Sequence, residues 1–242
     1  LTTWTPPALA SEARVAALDL WRVVEAQTAA SSMRLVDSLA DQTVLERLLN
    51  ASESPRPPGT ERLHPLLATP FRYRPRQGSR FRASLDAGVW YGAEALRTAL
   101  AEKGFWARKF LLDSPGTPDL KPVAHTAFRA SVRGLALDLR VPPLVRDGAL
   151  WTHPSNYSAT QSLARKAREA GVVLVRYESV RDPERGGCGA VLEPAAFRSS
   201  KPRAEETWLI AAARSRVRCA RAGSGGAAFE FPAAVLDGTA GH

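Results

Sequence analysis

Residues 158–181 read SATQSLARKAREAGVVLVRYESVR, and this stretch decides the fold class. Its first part is a helix over 158–170, closed by Gly171 as the glycine that follows a helix C-terminus. The chain then passes directly into 172–177, where Val172, Val173, Val175 and Tyr177 are strong strand formers and Leu174 is apolar, so this is the best buried strand in the sequence. A helix feeding such a strand, among short β-type runs broken by turns, is the pattern of an α+β domain. Upstream, runs at 71–74, 80–83 and 89–91 precede a helix that starts at Ala93 and either stops at Gly104 or continues to Leu112. Runs at 123–132, 135–139, 188–192 and 207–213 supply the remaining strands, and 223–226 is a short flexible turn. No internal repeat is present.

The first fifty residues read differently. Ser11 can cap a helix in which Val15, Leu18, Trp21 and Val24 recur three apart with Leu20 beside them. A second helix, 33–49, carries Leu35, Leu39, Val44, Leu48 and Leu49 and ends at Asn50, before Ser52, Pro55, Pro57, Pro58 and Gly59. The Pro-rich stretch divides the chain into a helical N-terminal extension, 1–57, and the main α+β domain, 58–242. At roughly 150 residues per domain, 242 residues fit one large domain with an appendage. The two helices either pack on their own domain or form a docking or dimerisation element.

Thirty-three Lys and Arg against 24 Asp and Glu give a net charge of +9, which points to an anionic partner: a phosphate-bearing ligand, nucleic acid or an acidic protein. Two cysteines, Cys188 and Cys219, make no disulfide framework, and four separated histidines make no zinc site, so no metal is expected. There is no run of 18 apolar residues and no secretory pattern at the N-terminus, and a soluble cytoplasmic protein is expected.

Three features could carry chemistry. Arg72, Arg74, Arg76, Arg80 and Arg82 fall within eleven residues. On strands, Arg72 and Arg74 share one face while Phe71 and Tyr73 share the other, and Arg80 and Arg82 stand opposite Phe81. Such a face either lines a phosphate-binding cleft or is a solvated basic surface. Glu102 has Thr98, Ala99, Phe105 and Trp106 three and four residues away and so lacks a local ion pair, whereas Glu94 is followed by Arg97. With Leu96 and Leu100 at the centre of the apolar stripe, Glu102 lies about 140° round the helix, an angle that points to solvent. Ser179 follows the buried strand, where ligands often bind, but no Gly-x-Ser-x-Gly elbow surrounds it, and a purely local turn role is the commoner one for a Ser so placed.

Taken in order, Arg72-Tyr73, Arg80-Phe81, Gly88-Val89-Trp90-Tyr91-Gly92, Thr98-Ala99-Leu100-Ala101-Glu102 and 175–181 (VRYESVR) resemble the RES domain over about residues 65–200. The family is named for an Arg, a Glu and a Ser, which here are Arg80, Glu102 and Ser179. Arg80-Phe81-Arg82 departs from the commoner Arg-Trp-Asn, and the first loop is short.

The resemblance implies an ADP-ribosyltransferase-like fold, with mixed or antiparallel sheets around an NAD cleft and 58–242 as the catalytic domain. It implies a toxin of a toxin–antitoxin pair that consumes NAD. Some members cleave NAD with phosphate or water; others transfer ADP-ribose to a protein, including an enzyme of nucleotide synthesis. NAD is then a substrate, since no Rossmann or Walker glycine pattern is present. Glu102 would stabilise charge developing on the ribose. Arg72 and Arg80 would hold the pyrophosphate, Tyr73 or Tyr91 would stack on the nicotinamide or hydrogen-bond the ligand, and Ser179 would fix its amide or a phosphate. Arg82 is a candidate for an inorganic-phosphate subsite. The short loop leaves the cleft mouth open, which favours transfer onto a protein with an acidic surface. An antitoxin covering the cleft is the expected partner. The reading from another class is a basic nucleic-acid-binding protein, although no helix-turn-helix or RNA-binding motif is present.

Overall fold

The computed structural model describes residues 3–26, 57–73, 76–223 and 225–237. Eight strands, β1 (Arg14–Glu25), β2 (Trp90–Ala93), β3 (Leu120–Asp138), β4 (Leu174–Glu178), β5 (Gly187–Val191), β6 (Arg203–Ala212), β7 (Arg216–Arg221) and β8 (Ala228–Pro232), form one mixed sheet. Its order is β1-β2-β5-β4-β3-β6-β7-β8, and β1 also pairs with β3, so the first five strands of that order close on themselves. The β3–β4 pairing is parallel and the others are antiparallel. The α+β class is therefore observed directly. Six helices accompany the sheet among the described residues: α1 (Pro6–Glu12), α2 (Pro65–Arg72), α3 (Leu96–Asp113), α4 (Gly148–Trp151), α5 (Ser158–Glu169) and α6 (Ala233–Leu236).

The deciding stretch behaves as read. Helix α5 ends before Gly171, whose φ of +74° suits a residue without Cβ, and β4 follows. The apolar face of α5, Leu163, Ala164 and Ala167, packs with Phe81, Trp151, Val175 and Leu192. Helix α3 does not stop at Gly104. That glycine lets the helix approach β7, where an added Cβ would come 2.9 Å from Val217 Cγ1. Leu100 before it and Leu111 beyond it pack with Trp208, Ile210 and Val217. The runs 123–132 and 135–139 are one strand, β3.

Three expectations are corrected. Residues 14–25 are a strand, not a helix; the helix of this region is α1, capped by Thr5 with prolines in its first turn. Its second half is covered on both faces, Leu20 and Val24 joining Leu18 in the cluster around Trp90 and Phe128 while Trp21 and Val23 join the clusters on the other side; in its first half Val15, Ala17 and Asp19 form an exposed face, two of whose three residues are apolar. A segment buried on two faces has no period to read. The run 71–74 begins as the end of helix α2, which Pro65 and the His64 side chain start and in which Leu67 and Phe71, four apart, are the buried face. The run 80–83 is a turn, bridged by Ser79 and Arg82. The second expected helix, 33–49, lies outside the described residues.

Candidate active site

A cavity of about 250 Å³ opens between β1, β2, α3 and the ends of β4 and β5. Glu102 projects into it from α3, on the side where Ala99 leaves room. The helix is buried over a broad arc, Thr98 to Ala101 together with Gly104 and Arg108, so the angular distance from Leu100 leads to a second wall and not to solvent.

Ser179 is fully buried behind Glu102. Its hydroxyl donates to Glu102 Oε1 at 2.6 Å and accepts from the backbone N–H groups of Arg181 (3.1 Å) and Asp182 (3.0 Å). One donor and two acceptor sites are all a hydroxyl has, so Ser179 orients Glu102 and has nothing left for a ligand. Burial pushes the Glu102 carboxyl above its ordinary pKa; the Ser179 hydrogen bond and the Arg80 and Arg181 guanidinia oppose this, and Asp182 adds to it.

Arg80 stands at the turn 79–82 and reaches the same cavity. Its Nη1 donates to the carbonyls of Trp151 (2.7 Å) and His153 (3.1 Å), and its guanidinium lies 4.7 Å from the centroid of the Tyr157 ring. Tyr91 ties this turn to β2. Its hydroxyl accepts from Phe81 N at 3.0 Å and bonds Ser79 Oγ at 2.8 Å, clamping the residues on either side of Arg80. Gln161 Nε2 donates to Ser79 O at 2.9 Å, and Thr160 Oγ1 bonds the Arg80 carbonyl. Tyr91 thus lines the cavity while its polar end is fixed in the wall.

The other expected arginines diverge. Arg82 is buried, but its guanidinium turns onto the carbonyls of Gln77 and Ala83, away from the cavity lining. Arg72 ends helix α2, 5.9 Å from the centroid of the Tyr73 ring, and neither residue is part of the cavity wall. Arg76 is exposed and Arg74 lies outside the described residues.

The structure adds residues that sequence reasoning missed. Arg22 enters from β1, donates through Nη1 to Tyr91 O at 2.9 Å, and keeps a buried Nε without a hydrogen-bond partner. Burial lowers its pKa to about 10. A guanidinium at a cavity wall suits an anionic or carbonyl ligand. The available signal was a lone cation inside the apolar run Leu20-Trp21-Arg22-Val23-Val24. Arg181 also lines the cavity, its guanidinium 3.7 Å from the centroid of the Phe105 ring. Lys103, Trp21, Trp106 and Tyr157 complete the walls. Cys188 and Tyr177 are buried at the cavity and held neutral, burial pushing both pKa values well up. Among the described residues no three His, Cys, Asp or Glu side chains gather as a metal site, and no helix is long and apolar enough to cross a membrane.

A family model described as the RES domain matches residues 57–211. Among solved structures, a chain from the crystal structure of the M. tuberculosis MbcT–MbcA toxin–antitoxin complex is similar over 84% of this chain and 90% of its own, with a TM-score of 0.51 and 13% sequence identity. At that identity the likeness speaks for the fold. A search of curated proteins finds no match.

Proposed function

Because this chain belongs to the RES-domain family, we propose that it is the toxin of a toxin–antitoxin pair, acting in the cytoplasm, and that its cavity cleaves NAD at the nicotinamide–ribose bond and passes ADP-ribose to a protein. The observation that carries the reading is the Glu102 carboxylate, fixed by Ser179 in a cavity that also receives Arg22, Arg80 and Arg181. A cavity of about 250 Å³ lies just below the roughly 300–1,000 Å³ of drug-sized ligand sites, which suits the nicotinamide riboside half with the rest of the dinucleotide at the mouth. The aromatic walls, Trp21, Tyr91 and Tyr157, offer ring faces to the nicotinamide.

In the reaction the bond from ribose C1′ to the nicotinamide nitrogen breaks. Its electron pair leaves with nicotinamide, which becomes neutral, and C1′ takes the positive charge. Ionised Glu102 stabilises that charge from within a site where water screens it little. A lone pair of the acceptor then bonds to C1′, and the acceptor's proton passes to solvent. Arg22 and Arg80 hold the diphosphate oxygens. Ser179 acts through Glu102 as a positioning residue.

A protein acceptor is favoured by what surrounds the mouth. Arg82, the residue expected for an inorganic-phosphate subsite, is committed to carbonyls. Trp106 at the cavity is 50% exposed, and Phe110, one helical turn on, is 54% exposed. They offer an apolar surface to a macromolecule, and the net charge of +9 suits an acidic one. The antitoxin is proposed to cover the same mouth. A nucleic-acid reading loses the strand face expected of the arginine cluster, since 79–82 is a turn that sends Arg80 into the cavity and Arg82 onto carbonyls of its own chain.

Labelled NAD in a lysate tests the reaction. Label on a discrete protein band is the expected result; label only in free ADP-ribose or its 1″-phosphate, at a rate rising with phosphate, would establish a phosphorylase instead. For binding, Arg22→Ala and Arg80→Ala are each expected to lower NAD affinity about ten- to hundredfold, the size of a lost charge-assisted hydrogen bond. Arg72→Ala, off the cavity wall, serves as the comparator. Calorimetric titration showing unaltered affinity in both cavity variants would remove the diphosphate from this wall.

A further inference from the structure

Behind Glu102 lies a second connection between α3 and the loop 179–186 that joins β4 to β5. Thr98 Oγ1, one helical turn before Glu102, donates to Asp182 Oδ2 at 2.6 Å. Asp182 N donates to Ser179 Oγ at 3.0 Å, and Ser179 Oγ donates to Glu102 Oε1 at 2.6 Å. The helical turn from Thr98 to Glu102 closes the circuit. Thr98 and Asp182 are buried like Ser179, and Asp182 forms an ion pair with Arg97, the neighbour of Thr98 on the helix. Gly186 seals the circuit from outside: a Cβ there would stand 2.2 Å from Thr98 Oγ1 and 2.9 Å from Asp182 Oδ2.

We propose that Thr98 and Asp182 are positioning residues for NAD cleavage, closing with Ser179 a buried hydrogen-bonded ring that holds the Glu102 carboxylate oriented and ionised. The inference rests on the reading of Glu102 as the reacting carboxylate. A single hydroxyl-to-carboxylate bond fixes a distance but leaves the loop free to tilt. Two attachments one helical turn apart fix the loop against the helix, and with it the Ser179 hydroxyl. The Thr98 hydroxyl has no route to the substrate, since its hydrogen is given to Asp182 and the residue is off the cavity wall.

Glu102 is faced by Ser179, Arg181 and Asp182 from the loop, Arg80 from the turn 79–82, Tyr177 from β4 and Cys188 from β5, with Arg22 and Tyr91 across the cavity. Tyr177 and Cys188 stay neutral, so the charges acting on it are Arg80, Arg181 and Asp182, with Arg22 and Lys103 on the same cavity wall. Burial already holds the carboxyl above its ordinary pKa, and the Ser179 bond pulls it back. Loosening that bond therefore raises it further, protonates Glu102 at a higher pH, and moves the acid limb of kcat upward.

The test is the pH profile of nicotinamide release by Thr98→Val, Thr98→Ser and Gly186→Ala in the full chain. Thr98→Val is expected to shift the acid limb of kcat to higher pH, with turnover on that limb down about three- to tenfold and KM for NAD within about twofold. Thr98→Ser, which keeps the hydroxyl, restores the wild-type limb. Gly186→Ala, which wedges Thr98 from Asp182, reproduces the shift by a different route and stands in if Thr98→Val fails to fold. A loss of thermal stability alone, with the limb unmoved in both folded variants, would overturn the ring. Titration of the Glu102 carboxyl by carbon-detected NMR in the ligand-free protein keeps the two proposals apart. An upward shift in Thr98→Val supports the ring even if the wild-type protein releases no nicotinamide, the outcome that would sink the NAD reading.

Discussion

Glu102→Gln is expected to fold as the wild-type protein does and to release nicotinamide about a hundredfold or more slowly. The amide is the same size as the carboxylate, and its oxygen can still accept the Ser179 hydrogen bond that holds Oε1 at 2.6 Å. What it removes is the negative charge, and with it the stabilisation of a cationic ribose. Stability is expected to hold or rise, because a carboxylate whose ionisation burial opposes is replaced by a neutral group. A rate loss therefore cannot be laid to unfolding, and a thermal melt beside the turnover assay checks this. An unchanged rate in the folded variant would take Glu102 out of the chemistry and leave the Ser179 contact as a structural bond.

How much of this was legible depends on how local each signal is. The α5–Gly171–β4 unit could be read because a helix face, a C-terminal glycine and a run of β-branched residues all lie within twenty residues. Strand β1 could not, because apolar Val15 and Ala17 on the exposed face of its first half, and two covered faces from Leu20 on, hide the alternation that would have distinguished it from a helix. The Glu102–Ser179 pair spans 77 positions, and helical spacing around Glu102 shows only that no partner is nearby. Family resemblance singled out both residues, but the contact itself is a product of the fold. Arg80 and Arg82, two apart, were expected on one strand face; a turn sends one into the cavity and the other onto Gln77 and Ala83. Arg22 comes to the cavity only because β1 lies between β2 and β3, a pairing made across about a hundred residues of chain.

A chain beginning at residue 60 is expected to lose the cooperative fold. That cut lies beside the expected boundary between an N-terminal extension and the main domain, and a detachable extension would leave 60–242 folded and active. Strand β1 argues otherwise. It pairs with β3 from Arg14–Ala136 through Glu25–His125, and Trp21 also pairs with Ala93 of β2. Removing it strips hydrogen-bond partners from one edge of β3 and opens the closed part of the sheet at β2. Leu9 of α1 and Leu20 of β1 are both fully buried, one in the cluster with Leu163 and Trp151 and the other in the cluster with Trp90 and Phe128. Truncating one such leucine to alanine costs about 2–5 kcal/mol, and domains of this kind are stable by about 5–15 kcal/mol, so losing both with their backbone pairing is enough to unfold the domain. Thermal unfolding followed by circular dichroism, together with the proton NMR dispersion of the shortened chain, checks the expectation. A sharp melt with NAD turnover intact would show that β1 is dispensable, and would also remove Arg22 from the site, since that residue would be gone while the activity remained.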